Sequence, residues 1–315
     1  MQQRSVGASG LRVSRLGLGT MTWGRETDEH EARDLLTAFV GAGGTLVDTA
    51  GVYTDGRAEE LLGELIGPVV ARDDLVLATK SGLETRRGRR HVDASRGRLL
   101  SGLDASLRRL GTDHVDLWQV HAPDPYTPVE ETLAALDHAV ATGRARYVGL
   151  SNHAGWQVAQ AATWQRAVPG RTPIVSNQVE YSLLNRSVEL DTAAALEALE
   201  VGLFAWSPLG RGVLTGKYRT GLPSDSRAAS EHWRRFVEAY LDERAGSVVG
   251  AVVRAAEGLD LSPTQVALAW LRDRPLVTAP IVGARTTAQL REALRVEDVV
   301  LPAEITAALD DVSAD

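Results

Sequence analysis

Along the chain, short runs of β-branched and other apolar residues alternate with longer segments whose apolar positions recur at helical spacing, and the alternation continues almost to the C-terminus. Eight runs read as strands, at residues 16–19, 45–49, 75–80, 115–121, 147–152, 174–179, 202–207 and 277–282. The segments between them carry helix punctuation. Asp28 is placed to cap a helix whose Leu35, Leu36, Phe39 and Val40 share a face before Gly41 ends it. Ser95 opens another, in which Leu99, Leu103, Leu107 and Leu110 repeat until Gly111. Thr127-Pro128-Val129-Glu130 reads as a capping box with proline in the first turn, followed by Leu133, Leu136 and Val140 and then Gly143. Strand and crossover helix repeated eight times predict an α/β fold of the (β/α)8 TIM-barrel type. Two stretches fall outside the repeat. Residues 3–6 and 11–13, separated by Gly7-Ala8-Ser9-Gly10, predict an N-terminal β-hairpin. The polar stretch from Ser207 to about Ala245 is too long for an ordinary connection and predicts a functional loop after strand seven.

Composition narrows the function. No low-complexity linker or strong internal repeat interrupts the 315 residues, which read as one domain, 1–315. With 44% hydrophobic and 24% charged residues the chain can bury a sizeable core. The absence of cysteine excludes disulfides, thiolate nucleophiles and cysteine-ligated metal centres. The seven histidines show no metal-ligand spacing, so no bound metal is expected. A net charge of −7 speaks against a nucleic-acid partner. Met1–Gly7 lacks a signal-peptide apolar run and no stretch approaches about 20 apolar residues, which predicts a cytoplasmic protein with no membrane contact. A monomer is the default, with an oligomer left open.

In such a barrel the reactive groups lie where the strands end, and these ends are unusually polar. Strand two ends in Asp48, strand three in Lys80, strand four in His121, strand five in Ser151-Asn152, strand six in Asn177-Gln178 and strand seven in Trp206-Ser207. Tyr53 lies on the loop leaving strand two. A lysine cation held by a carboxylate lowers the pKa of a neighbouring phenol, so Lys80 and Asp48 are expected to bring Tyr53 down toward a useful proton donor. His121 is expected to hydrogen-bond a carbonyl oxygen and stabilise charge developing on it. The four residues suit carbonyl reduction.

Leu46-Val47-Asp48-Thr49-Ala50-Gly51-Val52-Tyr53, Ala78-Thr79-Lys80 and the segment from Asp116 through His121 to Asp124 resemble the signatures of the aldo-keto reductases. The similarity continues in order through Val148-Gly149-Leu150-Ser151-Asn152, Ser176-Asn177-Gln178, Ala205-Trp206-Ser207-Pro208-Leu209-Gly210, Leu214-Thr215-Gly216-Lys217-Tyr218 and Ile281-Val282-Gly283-Ala284-Arg285. The pattern after Trp206 is most similar to bacterial members related to potassium-channel β subunits, which carry asparagine where this chain has His121.

The resemblance implies Asp48, Tyr53, Lys80 and His121 as a catalytic tetrad and NADPH as cofactor, with a small-molecule carbonyl substrate. It further implies that Ser151, Asn152 and Gln178 hold the nicotinamide carboxamide and that Trp206 stacks on the ring. Ser207, Pro208, Leu209, Gly210, Arg211 and Lys217 would follow the pyrophosphate, with Thr20 and Met21 near the ribose. Arg227, Gly283, Arg285, Gln289 and Glu292 would form the adenosine end, where Arg285, just before a helix start at Thr286-Thr287, favours a 2′-phosphate and so NADPH over NADH. The family's adenine-contacting Glu-Asn pair stands here as Glu292-Ala293, and no long C-terminal tail follows the helix expected at 302–309.

Rival readings fare less well. Gly17-Leu18-Gly19 lacks the third glycine of a dinucleotide-fold loop, because Thr22 stands there. Gly216-Lys217 is followed by Tyr218 rather than Ser or Thr, and Arg211 replaces the leading glycine of a phosphate loop. In Gly149-Leu150-Ser151-Asn152-His153, His153 replaces the second glycine of a hydrolase elbow. Arg86-Arg87-Gly88-Arg89-Arg90-His91 reads first as a solvated loop and second as an attractor for a phosphate-bearing substrate. Trp23, on the loop after strand one, is expected to line the substrate pocket in preference to packing on its rim. The expected function is NADPH-dependent reduction of an aldehyde or ketone. The alternatives are an NADPH-binding regulatory module with weak reductase activity and a non-redox phosphosugar barrel.

Overall fold

A computed structural model describes residues 1–219, 221, 223, 229 and 234–314. The chain opens with the antiparallel hairpin β1 (Gln3–Ser5) and β2 (Arg12–Ser14), in register Arg4 opposite Val13. Its turn needs glycine at position 7, where φ is +53° and a Cβ would meet the Glu200 carbonyl oxygen at 2.3 Å. The barrel strands begin with β3 (Gly17–Gly19), β4 (Leu46–Asp48) and β5 (Val76–Ser81). A second hairpin, β6 (Leu83–Arg86) and β7 (Arg89–Val92), interrupts them before β8 (Val115–Val120), β9 (Ala145–Ser151), β10 (Ile174–Glu180), β11 (Gly202–Trp206) and β12 (Val277–Val282) complete the ring. Every neighbouring pair is parallel and β12 returns to β3, which closes the barrel in the order β3-β4-β5-β8-β9-β10-β11-β12. All eight expected strands are therefore present, within two residues at either end.

Outside the ring lie α1 (Glu29–Gly41), α2 (Arg57–Leu65), α3 (Arg96–Leu110), α4 (Val129–Ala141), α5 (Gly155–Ala167) and α6 (Thr192–Ala198). After β11 come α7 (Arg234–Glu238), α8 (Glu243–Leu259) and α9 (Pro263–Arg272), and after β12 come α10 (Thr287–Leu294) and α11 (Ala303–Ser313). Asp28 caps α1 as expected, its Oδ1 accepting from the Glu31 N–H at 2.9 Å. The expected capping box of α4 is not formed. Pro128 takes the cap position, and the Thr127 hydroxyl donates instead to Asp124 at 2.7 Å, tying the preceding loop together.

The core has three parts, the smallest of which packs Leu16, Leu268, Val282 and Val296 together. Inside the ring Leu46, Ala78, Leu117, Val175 and Phe204 pack with Val6, Leu11 and Val13, so the first hairpin plugs the N-terminal end of the barrel. Between ring and helices a larger cluster runs through Leu36, Phe39, Leu62, Leu103, Trp118, Leu136 and Val252. One end is sealed by apolar side chains and the C-terminal end is left to polar ones. Among the described residues no helix is long and apolar enough to cross a membrane.

The run from Arg86 to His91, expected first as a solvated loop, forms the second hairpin. Arg87 (φ +50°) and Gly88 (φ +74°) make its two-residue turn, which matches the right-handed twist of the paired strands.

Candidate active site

β4 delivers Asp48 to the open end of the barrel and β5, paired beside it, delivers Lys80. Beyond Asp48 the chain turns sharply, with Thr54 and Asp55 at φ +46° and +55° and the Thr54 hydroxyl donating to the Trp23 carbonyl at 2.8 Å. This turn brings Tyr53 back over Lys80. The lysine side chain is 1% exposed, and its ammonium donates to Asp48 Oδ2 (2.6 Å), the Thr49 carbonyl (3.0 Å) and Tyr53 Oη (3.3 Å). An ammonium has three protons, and all three are used. The Tyr53 oxygen is thus an acceptor toward Lys80, which leaves its own O–H for another acceptor. Asp48 Oδ1 accepts from Gln178 Nε2 at 2.9 Å, so both carboxylate oxygens are held.

His121 follows β8 and stands edge-on to Tyr53, with ring centroids 6.1 Å apart. Its Nδ1 is buried with no hydrogen-bond partner among the described residues. Next to it, Asn152 lies in the left-handed region at φ +61°, where its Nδ2 donates to the His121 carbonyl (2.9 Å) and its Oδ1 accepts from the Trp206 indole N–H (3.0 Å). Ser151 Oγ donates to the Gln178 carbonyl at 2.9 Å. Ser207 (φ +52°) and Arg211 (φ +59°) are also left-handed, and such backbone strain gathers at functional sites.

Burial sets the electrostatics. It pushes the Tyr53 phenol above its usual range, outweighing the Lys80 cation, which acts in the opposite sense. The expectation of a lowered phenol is corrected here. Burial also works against the Lys80 charge, but Asp48 and Tyr53 together overcome it and hold the ammonium raised. His121 is driven well below the usual imidazole value, by burial first and then by Lys80 and Arg90. At neutral pH the site holds a protonated tyrosine, a charged lysine and a neutral histidine.

Asp48, Tyr53 and His121 line one end of a cavity of about 680 Å³ that continues past Trp206 and Lys217 to Arg285, Gln289 and Glu292. Met21, Ser151, Asn152 and Gln178 are on its wall, as are Ser207, Pro208, Leu209 and Gly283. Several expectations are corrected. Trp23 is completely buried in the outer core and does not line the cavity, because the turn at residues 22–27 folds it inward. Thr20 is buried behind Asp48, donating to its carbonyl through both its N–H (3.0 Å) and its hydroxyl (3.3 Å). Gly210 is packed against Leu184, off the wall. Arg211 does line the cavity, but its guanidinium is committed to Glu180 (3.0 and 2.8 Å) and lies 3.8 Å from the centre of the Phe236 ring. Arg227 lies outside the described residues. Leu83 and Val92 of the second hairpin, Phe236 and Thr264 line the cavity without having been singled out from sequence, and Arg90, read there only as part of a basic run, lines it with them. For the hairpin the signal was present in Arg87-Gly88, a turn dipeptide flanked by Leu83-x-Thr85 and Arg90-x-Val92.

Comparison with known proteins follows the same line. The model described as "Aldo/keto reductase family" matches residues 15–314. A probable voltage-gated potassium channel subunit beta of Oryza sativa subsp. japonica is 37% identical over 304 residues, covering 95% of this chain and 92% of that protein. Uncharacterized oxidoreductase YrpG of Bacillus subtilis (strain 168) is 35% identical over 338 aligned positions, covering 99% and 96%. L-glyceraldehyde 3-phosphate reductase of Escherichia coli (strain K12) is 36% identical over 302 residues, covering 93% and 86%.

Proposed function

The chain belongs to the aldo/keto reductase family, and from that premise we propose that it reduces an aldehyde or ketone to an alcohol with NADPH, Tyr53 donating the proton. The observation that carries this reading is the Lys80 ammonium, shared among Asp48, Thr49 and Tyr53 beside a cavity of about 680 Å³ whose wall runs from Tyr53 and His121 to Arg285 and Gln289. The residues present fit that cofactor. Asn152 fixes the Trp206 indole beside the tetrad, and Lys217 and Arg285 supply cations along the remaining length. When bound, reduced nicotinamide supplies a hydride.

This chain's residues do the rest. A carbonyl oxygen between Tyr53 and His121 accepts the Tyr53 O–H, and hydrogen bonding from neutral His121 meets the negative charge that grows on that oxygen. As the carbonyl carbon takes the hydride, the oxygen takes the phenolic proton and the product is the alcohol. The phenolate left on Tyr53 is stabilised by Lys80, whose charge Asp48 sustains. Lys217 is the cation proposed for the pyrophosphate and Arg285 the one for the 2′-phosphate, from their places on the cavity wall.

The test is NADPH consumption with a panel of aldehydes and ketones for wild type and Tyr53→Phe. The variant is expected to lose about 10²–10⁴-fold in kcat while retaining cofactor binding by fluorescence titration. Equal rates for the two proteins overturn the mechanism. Similarity to a potassium channel β subunit favours a second reading, an NADPH-binding regulatory module. Tight NADPH binding without turnover on any carbonyl would select it.

A further inference from the structure

We propose that Arg90 selects carbonyl substrates bearing an anionic group, a carboxylate or a phosphate, by pairing with that group at the tetrad end of the cavity. The proposal rests on the reductase reading of the same site.

Strand alternation in the second hairpin puts Leu83, Thr85, Arg90 and Val92 on one face and Glu84, Arg89 and His91 on the other. Leu83, Arg90 and Val92 line the cavity together with Tyr53 and His121, so the first face closes over the reacting end. The opposite face is occupied elsewhere, with Glu84 paired to Arg98 and 4.0 Å from His91. Arg90 is exposed and, among the described residues, its guanidinium has neither a hydrogen bond nor an ion pair. Arg211, also on the cavity wall, is held by Glu180 at 2.8 Å. Close by, Asp48 and Lys80 neutralise one another and His121 is uncharged, which leaves Arg90 as the net charge at this end. Its field acts on both Tyr53 and His121, the two groups proposed to meet the carbonyl oxygen.

A guanidinium with all five donors unused matches the planar or tetrahedral oxygens of a carboxylate or phosphate, which it can hold in two-pronged fashion. Arg87 and Arg89 add local positive potential to a chain whose net charge is −7. An anionic substrate is thereby drawn toward the tetrad end of the cavity.

The experiment compares kcat/KM for 4-carboxybenzaldehyde against its methyl ester, and for 4-formylphenyl phosphate against 4-methoxybenzaldehyde. Wild type, Arg90→Gln, Arg90→Lys and Arg89→Gln are measured at low and high ionic strength. The expected result is an anionic-to-neutral ratio that falls about tenfold in Arg90→Gln, mainly through KM, as for one lost charge-assisted contact. Arg90→Lys should recover part of it, and Arg89→Gln, on the opposite face, should keep the wild-type ratio within about twofold. The pair showing the larger fall identifies carboxylate or phosphate as the source. If both neutral compounds are reduced and neither ratio responds to Arg90→Gln, the Arg90 proposal is overturned and the reductase reading stands. If no aldehyde is reduced by wild type, the reductase reading itself has failed.

Discussion

With all three Lys80 protons taken by Asp48, Thr49 and Tyr53, the phenol can give up its own proton only toward the cavity, and the lysine is already in place to receive the resulting negative charge. A raised phenol pKa is compatible with this role, because the donor must be protonated before the reaction and relieved of charge only after it. The pH dependence follows in sign. In the proposed mechanism Tyr53 acts in its protonated form, and its pKa lies above the usual value of about 10, so kcat for reduction should hold across neutral pH and decline only as pH rises through the strongly alkaline range. The same mechanism uses His121 as a neutral donor, and its pKa lies well below about 6.5, so no inflection should occur near that value. A pH–rate profile with an inflection near about 6.5 that disappears in His121→Gln would contradict the assignment. The four side chains were legible in sequence because strand ends in a barrel converge. The direction of the Tyr53 shift was not, since it depends on how deeply the turn through Thr54 and Asp55 buries the phenol. Trp23 shows the same limit: loop membership was readable, and the side of the loop it occupies was not.

Between elements, the tetrad is braced from behind. Glu59 of α2 is fully buried, accepting from Thr79 of β5 at 2.5 Å and from Arg109 Nε of α3 at 2.7 Å. Thr79 immediately precedes Lys80, so one carboxylate ties two helices to the strand that carries the buried Lys80 cation. The helices also meet closely at Gly63, where a Cβ would lie 2.4 Å from the Arg109 carbonyl oxygen. Removing the carboxylate leaves Thr79 and a partly buried guanidinium without their acceptor. Glu59→Ala should therefore cost about 3 kcal/mol of stability, read as a lower midpoint in urea at unchanged slope. A loss below about 0.5 kcal/mol would show that the α2–β5–α3 junction is not held this way. The helices themselves were readable from apolar spacing and from stop glycines such as Gly111, at φ +64°. The second hairpin was obscured by its arginines: only Leu83 and Val92 mark its cavity face as apolar, and the composition of the run is that of a solvated loop.

Across the whole molecule, the eightfold count of strands made the barrel legible, while its contents depend on loops whose packing the pattern does not encode. The cavity is walled by Met21 after β3, by Trp206 at the end of β11 with Ser207 through Leu209 beyond it, and by Gly283 and Arg285 after β12, so a cofactor filling it would tie together segments far apart in sequence. Such a ligand binds only the folded state and must raise stability by mass action, by about 2.7 kcal/mol at a hundred times its Kd. For a chain of 315 residues that is a rise in Tm of roughly 5 °C. Arg285, on the cavity wall, immediately precedes Thr286, the cap of α10, whose hydroxyl accepts from the Gln289 N–H at 3.3 Å. That placement suits a 2′-phosphate, so NADH at the same concentration should give a third of the NADPH shift or less, by about the worth of one charge-assisted contact. Arg285→Gln should bring the NADPH shift down to that of NADH while leaving the NADH shift and the melting point of the ligand-free protein near their wild-type values. Equal shifts for the two cofactors on wild type would remove the basis for assigning the phosphorylated one, whatever the tetrad does at the other end of the cavity.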